Sequence, residues 1–185
     1  MHLSFLYRPL SLGFLLFSLT LIACNRPKST QQLAQEQQAQ QRQQDEDAIL
    51  HLVSQKINGD QMDGISLDST AEQIKRLFHI RQSIISSPTP TVDNGVLPGK
   101  RMTWTLRLQM AEPFGSKPED QPQSICLQMG LTESITPQAE TIARKVAQQL
   151  NAPIGQPKQV NGRWLYVTHD LGNIYITIQK EKTEK

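Results

Sequence analysis

Between Met102 and Met110 the residues Met102, Trp104, Leu106, Leu108 and Met110 alternate with Thr103, Thr105, Arg107 and Gln109. Successive side chains of a strand point to opposite faces, so period two sustained over this length predicts a β-strand with one buried and one polar face. Ile125, Leu127 and Met129 repeat the pattern around Cys126 and Gln128. The Pro-rich loop between them, Pro113 to Pro122, has a length that suits an antiparallel neighbour. Near the end of the chain, Trp164 to His169 and Asn173 to Gln179 read as a hairpin turning through Asp170-Leu171-Gly172-Asn173. With Leu171-Gly172 as the loop, Val167 faces Ile176 and Leu165 faces Ile178 on the core side. Tyr166, Thr168, Tyr175 and Thr177 then point outward, because a strand register fixes the face of every side chain in it. These segments tie the chain to an antiparallel sheet.

Helical spacing accounts for much of the rest. Asp45, Glu46 and Asp47 precede the stripe Ala48, Ile49, Leu52, Val53 and Ile57, which predicts a helix with acids where its N-terminal dipole favours them. Asn58-Gly59-Asp60 ends it. Ser69-Thr70-Ala71-Glu72 reads as a capping box opening a short helix with Ile74, Leu77 and Phe78 inward. Residues 79–99 read mostly as loop: Ile84-Ile85 fits at most a short strand, and Pro88, Pro90, Asp93-Asn94-Gly95 and Pro98-Gly99 break anything longer. Thr136-Pro137 has the signature of a helix start, with Ile142, Val146 and Leu150 following until Pro153. A chain of 185 residues has room for one such domain. The expectation is a single α+β domain over residues 45–180, followed by a charged tail, 181–185. Its antiparallel sheet has four to five strands with helices packed on one face, in the order α-α-β-β-α-β-β.

The first residues carry an address. Met1 to Pro9 holds one Arg and no acid, Leu10 to Leu21 is an apolar run, and small Ala23 precedes Cys24, which is the grammar of a secretory signal peptide. The run is too short to cross a bilayer comfortably, since a spanning helix needs about 20 apolar residues. Leu21-Ile22-Ala23-Cys24 resembles the lipobox of bacterial lipoproteins. The resemblance implies removal of residues 1–23, a diacylglyceryl thioether on Cys24 and an acylated (palmitate-type) new amino terminus, which together supply the chains that stable anchoring requires. Asn25 stands where an Asp typically signals inner-membrane retention, so the resemblance implies a lipid anchor in the outer membrane with the domain facing the periplasm. Residues 24–44 are then a Gln-rich tether that builds no core. They fit either a disordered tether or, because Gln, Ala, Glu and Arg are good helix formers and neither Gly nor Pro intervenes from Ser29 to Asn58, a helical stalk about 30 Å long. A partner-mediated coiled coil is a third option, although no sustained apolar heptad is present. Gly64 to Phe78 is similar to the early helical part of small outer-membrane assembly lipoproteins. Those domains place two helices before a three-stranded sheet, whereas here a helix interrupts the strands, and no functional residue is carried over.

Composition and motifs narrow the chemistry. A formal charge of +2, with 19 basic and 17 acidic residues, creates no basic field for nucleic acid. The stretch Asn58 to Asp68 is rich in acids and Gly, but a calcium loop starting at Asn58 needs an oxygen ligand, Gly and Glu where Met62, Asp63 and Ser69 stand. His51, His79 and His169 are scattered singly without zinc-ligand spacing. Cys126 with His169 is the one conceivable nucleophile and base, and Cys126 sits mid-strand without a helix N-terminus or adjacent cation to activate it. No phosphate loop, dinucleotide fingerprint, metalloprotease or nucleophile-elbow motif occurs. No catalytic, cofactor or metal residue is therefore assigned. What remains is surface: Trp164, Tyr166 and Tyr175, with Arg107 nearby and Phe114 at the tip of the Pro-rich loop, have the residue types that anchor protein interfaces. The bland alternative is that a helix covers this face. The reading is a lipid-anchored envelope protein, membrane-bound through Cys24, that binds another envelope protein in assembly, secretion or inhibition. The alternative is an envelope enzyme or small-ligand binder acting on cell-wall or lipid material.

Overall fold

The computed structural model describes residues 29–81, 85–97, 102–131 and 136–181. The signal peptide, the lipobox and Cys24 lie outside these residues, as do Ile84, Pro98-Gly99 and most of the charged tail. Two compact units divide between Gln41 and Arg42.

The first helix, α1, runs unbroken from Thr30 to Lys56. It opens on a reciprocal cap, Gln32 N–H to Ser29 Oγ at 3.2 Å and Ser29 N–H to Gln32 Oε1 at 3.0 Å, which satisfies two N-terminal amides. Asp45, Glu46 and Asp47 thus stand mid-helix and not at a helix start, because the Gln-rich run propagates the helix into the apolar stripe. Asp45 is buried and Glu46 accepts a hydrogen bond from Lys145. Beyond Gln41, α1 buries Ile49, Leu52 and Val53.

A two-residue ribbon follows, β1 (Ile57–Asn58) with β2 (Gln61–Met62). Helix α2 (Ala71–Leu77) is capped by Thr70 with Gln73, one residue later than the Ser69 and Glu72 box expected from sequence. Its first amides, Ala71 and Glu72, donate to the carbonyls of Asp120 and Pro118 in the Pro-rich loop. The remaining strands are β3 (Thr91–Val96), β4 (Thr103–Gln109), β5 (Ser124–Gly130), β6 (Lys158–Val160), β7 (Arg163–Asp170) and β8 (Asn173–Gln179). A 3-10 turn, Thr136–Gln138, leads into α3 (Ala139–Gln149) between β5 and β6.

These strands form one six-stranded antiparallel sheet in the order β3-β4-β5-β8-β7-β6. The architecture is α+β, with six strands in place of four to five and the order α-β-β-α-β-β-β-α-β-β-β among the described residues. Two meanders, β3-β4-β5 and β6-β7-β8, meet where β5 pairs β8. The extra strands are β3, in a segment read as loop, and the short β6. Pairing of the last hairpin matches the expected register, Leu165 with Ile178 and Val167 with Ile176.

The inner sheet face supplies Leu106, Leu108, Ile125, Leu127, Met129, Leu165, Val167, Ile174, Ile176 and Ile178 to the core. Ile49 and Val53 of α1, Ile74 of α2 and Ile142 and Val146 of α3 join the same cluster. Helix α3 stops where Asn151 turns left-handed (φ 49) and Ala152 N–H donates to Ala147 O at 2.8 Å, just before Pro153.

Candidate functional site

With Leu106, Leu127, Ile176 and Val167 in the core, alternation turns the neighbouring residues of all four strands to the other side of the sheet. Cross-strand pairing lines them up in rows. One row runs Arg107, Cys126, Thr177, Tyr166; the next runs Thr105, Gln128, Tyr175, Thr168; a third runs Gln109, Ser124, Gln179, Trp164. Each of these residues keeps part of its surface exposed, although the Thr105 hydroxyl oxygen is sealed and the Cys126 thiol is largely buried, and beyond Gln41 the described helices pack into the core on the opposite face. Four of the residues expected to form a surface therefore share one face: Trp164, Tyr166, Tyr175 and Arg107. The three aromatics sit on a single hairpin, with Tyr166 and Tyr175 on diagonal positions of β7 and β8, about 7 Å apart at their Cβ atoms. Arg107 lies three strands from Tyr166, roughly 14 Å across the sheet.

Phe114 does not belong to this surface. It is 0 % exposed, the Pro-rich loop having folded back so that its ring enters the core. Ile85 N–H donates to Phe114 O at 2.9 Å and Phe114 N–H to Ser87 O at 3.3 Å, pinning the loop, and Lys75 Nζ stands 5.7 Å from the ring centroid.

The face is polar but nearly uncharged between the aromatics, with Arg107 as the cation in its rows. Gln128 Nε2 donates to Asn173 Oδ1 at 3.1 Å, bracing β5 against β8. Cys126 is a free thiol. Burial pushes its pKa up; a hydrogen bond with Thr177 and the Arg107 charge pull the other way without reversing the shift. The Gln109, Ser124 and Gln179 end of the face opens into a cleft of about 730 Å³ whose other walls include Glu112, Glu119 and Asp120.

Cys126 and His169 are not brought together. His169 follows Leu165 and Val167 at period two and pairs with Ile174, so it belongs to the inner side of the sheet. There it lines an open cleft of about 570 Å³ with Glu140, Arg144, Asn151 and Ile154. Cys126 is on the opposite side, two strands away. The acids of the calcium-like stretch are each held by a side chain: Asp60 by Asn161 at 3.0 Å, Asp68 by Arg163 at 2.6 Å and Asp63 by Lys56 at 2.5 Å.

The Lys56 constellation was not visible in sequence. Its ammonium also reaches Asp93 at 3.1 Å and sits 4.3 Å from the Trp104 ring centroid, joining the end of α1, the turn after β2 and the edge strand β3. No local spacing links residues so far apart. Comparison with family models, with curated proteins and with solved structures finds no match for this chain.

Proposed function

We propose that the chain is a lipid-anchored envelope protein, held through Cys24 in the outer membrane with its domain in the periplasm, and that the domain is a non-catalytic module that binds another envelope protein in assembly, secretion or inhibition. The observation that carries the binding reading is the open sheet face, where Trp164, Tyr166, Tyr175 and Arg107 project from rigid strands. Aromatic and Arg side chains in such a setting supply interface energy at low entropic cost.

The sheet edges support the face over strand addition. Strand β3 carries an irregularity between Thr91 and Asp93, and the Asn94 amide is hydrogen-bonded to Asp93 Oδ1 at 2.9 Å. Strand β6 has only three residues. Bulged, acid-capped and short edges resist pairing with another chain. The catalytic alternative loses its one candidate pair, since Cys126 and His169 occupy opposite sides of the sheet.

The test is in-cell photo-crosslinking from a photoreactive residue at Tyr175 in the full chain. A discrete protein adduct is expected, and it disappears in a Trp164→Ala, Tyr166→Ala double variant that retains its circular dichroism. An undiminished adduct in that variant overturns the surface. The anchor is tested separately: Cys24→Ser abolishes labelling by a fatty-acid probe and releases the protein from the membrane fraction.

A further inference from the structure

Two hairpins in this sheet close through two-residue turns with both central residues left-handed. In the β6-β7 turn they are Asn161 (φ 50) and Gly162 (φ 78); in the β7-β8 turn they are Leu171 (φ 39) and Gly172 (φ 83). The flanking pairs, Val160 with Arg163 and Asp170 with Asn173, adjoin the turns directly. This geometry matches the twist of the strands and favours Asn-Gly, which the first turn has. The second places a Leu where its Cβ crowds the following carbonyl. Leu171 is also 91 % exposed. It gains neither turn preference nor burial, so local folding does not explain it; strain of this kind gathers where a residue serves something outside its own fold.

The tip is held in place. Gly172 O accepts from Leu131 N–H at 2.7 Å, and a Cβ at Gly172 would stand 2.7 Å from Thr136 Oγ1, so the turn is seated against the chain that precedes α3. The apolar side chain is presented from a fixed base, on the hairpin that carries Trp164, Tyr166 and Tyr175.

We propose that Leu171 is an anchor residue that enters an apolar pocket on a protein partner. This rests on the sheet-face reading and adds the point of tightest engagement. A protein pocket fits better than a lipid surface, because one exposed leucine beside exposed Asp170 carries far less apolar surface than the single acyl chain that by itself binds a membrane only marginally.

The experiment combines melting of the protein with crosslinking of the full chain from Tyr175 in cells. Leu171→Asn restores the favoured turn and removes the apolar side chain. Its Tm is expected to rise by about 3 °C, while the Tyr175 adduct falls about tenfold; Leu171→Met retains most of the adduct. A raised Tm with an unchanged adduct overturns the anchor role, and a Tm that does not rise overturns the strain argument behind it. If the adduct survives Leu171→Asn but is lost in Trp164→Ala, Tyr166→Ala, the anchor fails and the sheet-face reading stands. No adduct from Tyr175 in the unaltered protein sinks both. A diazirine-bearing residue at Leu171 itself is expected to give a protein adduct, and a phospholipid adduct in its place assigns the tip to the membrane and overturns the proposal.

Discussion

The Lys56 ammonium stands 4.3 Å from the centroid of the Trp104 ring while its Nζ contacts Asp63 and Asp93. Only 17 % of the Lys56 side chain is exposed. Burial alone lowers its pKa, but the hydrogen bonds and charges of Asp63 and Asp93 outweigh it and the net shift is upward. Lys56→Met leaves two partly buried carboxylates without their cation and is expected to cost about 2 kcal/mol at pH 7, read by urea denaturation. A raised folded pKa means the contribution is complete below the ordinary lysine value, about 10.4, and is lost as pH rises through the folded one. The stability gap between Lys56→Met and the unaltered protein should therefore narrow at pH 11. A gap that persists there assigns the effect to packing of the lysine stem.

Gly95 pairs with Trp104 across β3 and β4, and a Cβ at Gly95 would stand 2.7 Å from Trp104 Nε1. The ring lies where a side chain on the neighbouring strand would be. Gly95→Ala is expected to destabilise the domain by about 2 kcal/mol through overpacking and to shift the tryptophan emission. An unchanged denaturation midpoint shows that Trp104 can move aside without cost.

Phe114 is the apolar plug of a polar, Pro-rich loop. Phe114→Ala opens a cavity and is expected to cost about 3 to 4 kcal/mol, accompanied by faster proteolysis within residues 111–123. A loss below about 1 kcal/mol indicates that the loop collapses into the space.

Cys126 reports on the outer face. Because burial raises its thiol pKa, alkylation by iodoacetamide at pH 8 should be slower in the folded protein than in urea. Arg107→Ala removes a charge that favours the thiolate, so the midpoint of the pH-rate profile moves further up. A downward or absent movement places the guanidinium away from the sulfur.

Sequence pattern located the strands that carry this face because each buries only one side: the alternation around Leu106, Leu127 and Val167 reports the core, and the intervening Tyr166 and Tyr175 follow by geometry. The same logic fails for β3. Its residues are exposed or half-buried on both sides, so no alternation exists, and Asp93-Asn94-Gly95 imitates a turn. Gly95 is there to admit Trp104, a cross-strand reason that no local reading contains. Phe114 is illegible for a related cause: a single aromatic between prolines has no period, and its burial is decided by how the loop folds back. Asp45 to Asp47 resemble a helix start because acids favour N-termini, but the Gln-rich run ahead of them offers no residue that stops a helix.

The order of strands has a kinetic consequence. Each three-stranded meander closes by local connections, the longest running from Met110 to Gln123, whereas the β5-β8 pairing that welds them together waits for the whole segment from Gly130 to Asn173, α3 included, to come into place. Loop-closure entropy is met before those contacts form, so the central seam is expected to be the late, slow event of folding. Interactions absent from a transition state govern how fast a protein opens. The residues expected to set the lifetime of the folded domain are therefore those of the middle seam, Ile125 with Ile178 and Leu127 with Ile176, beneath the same rows that carry Cys126 and Tyr175.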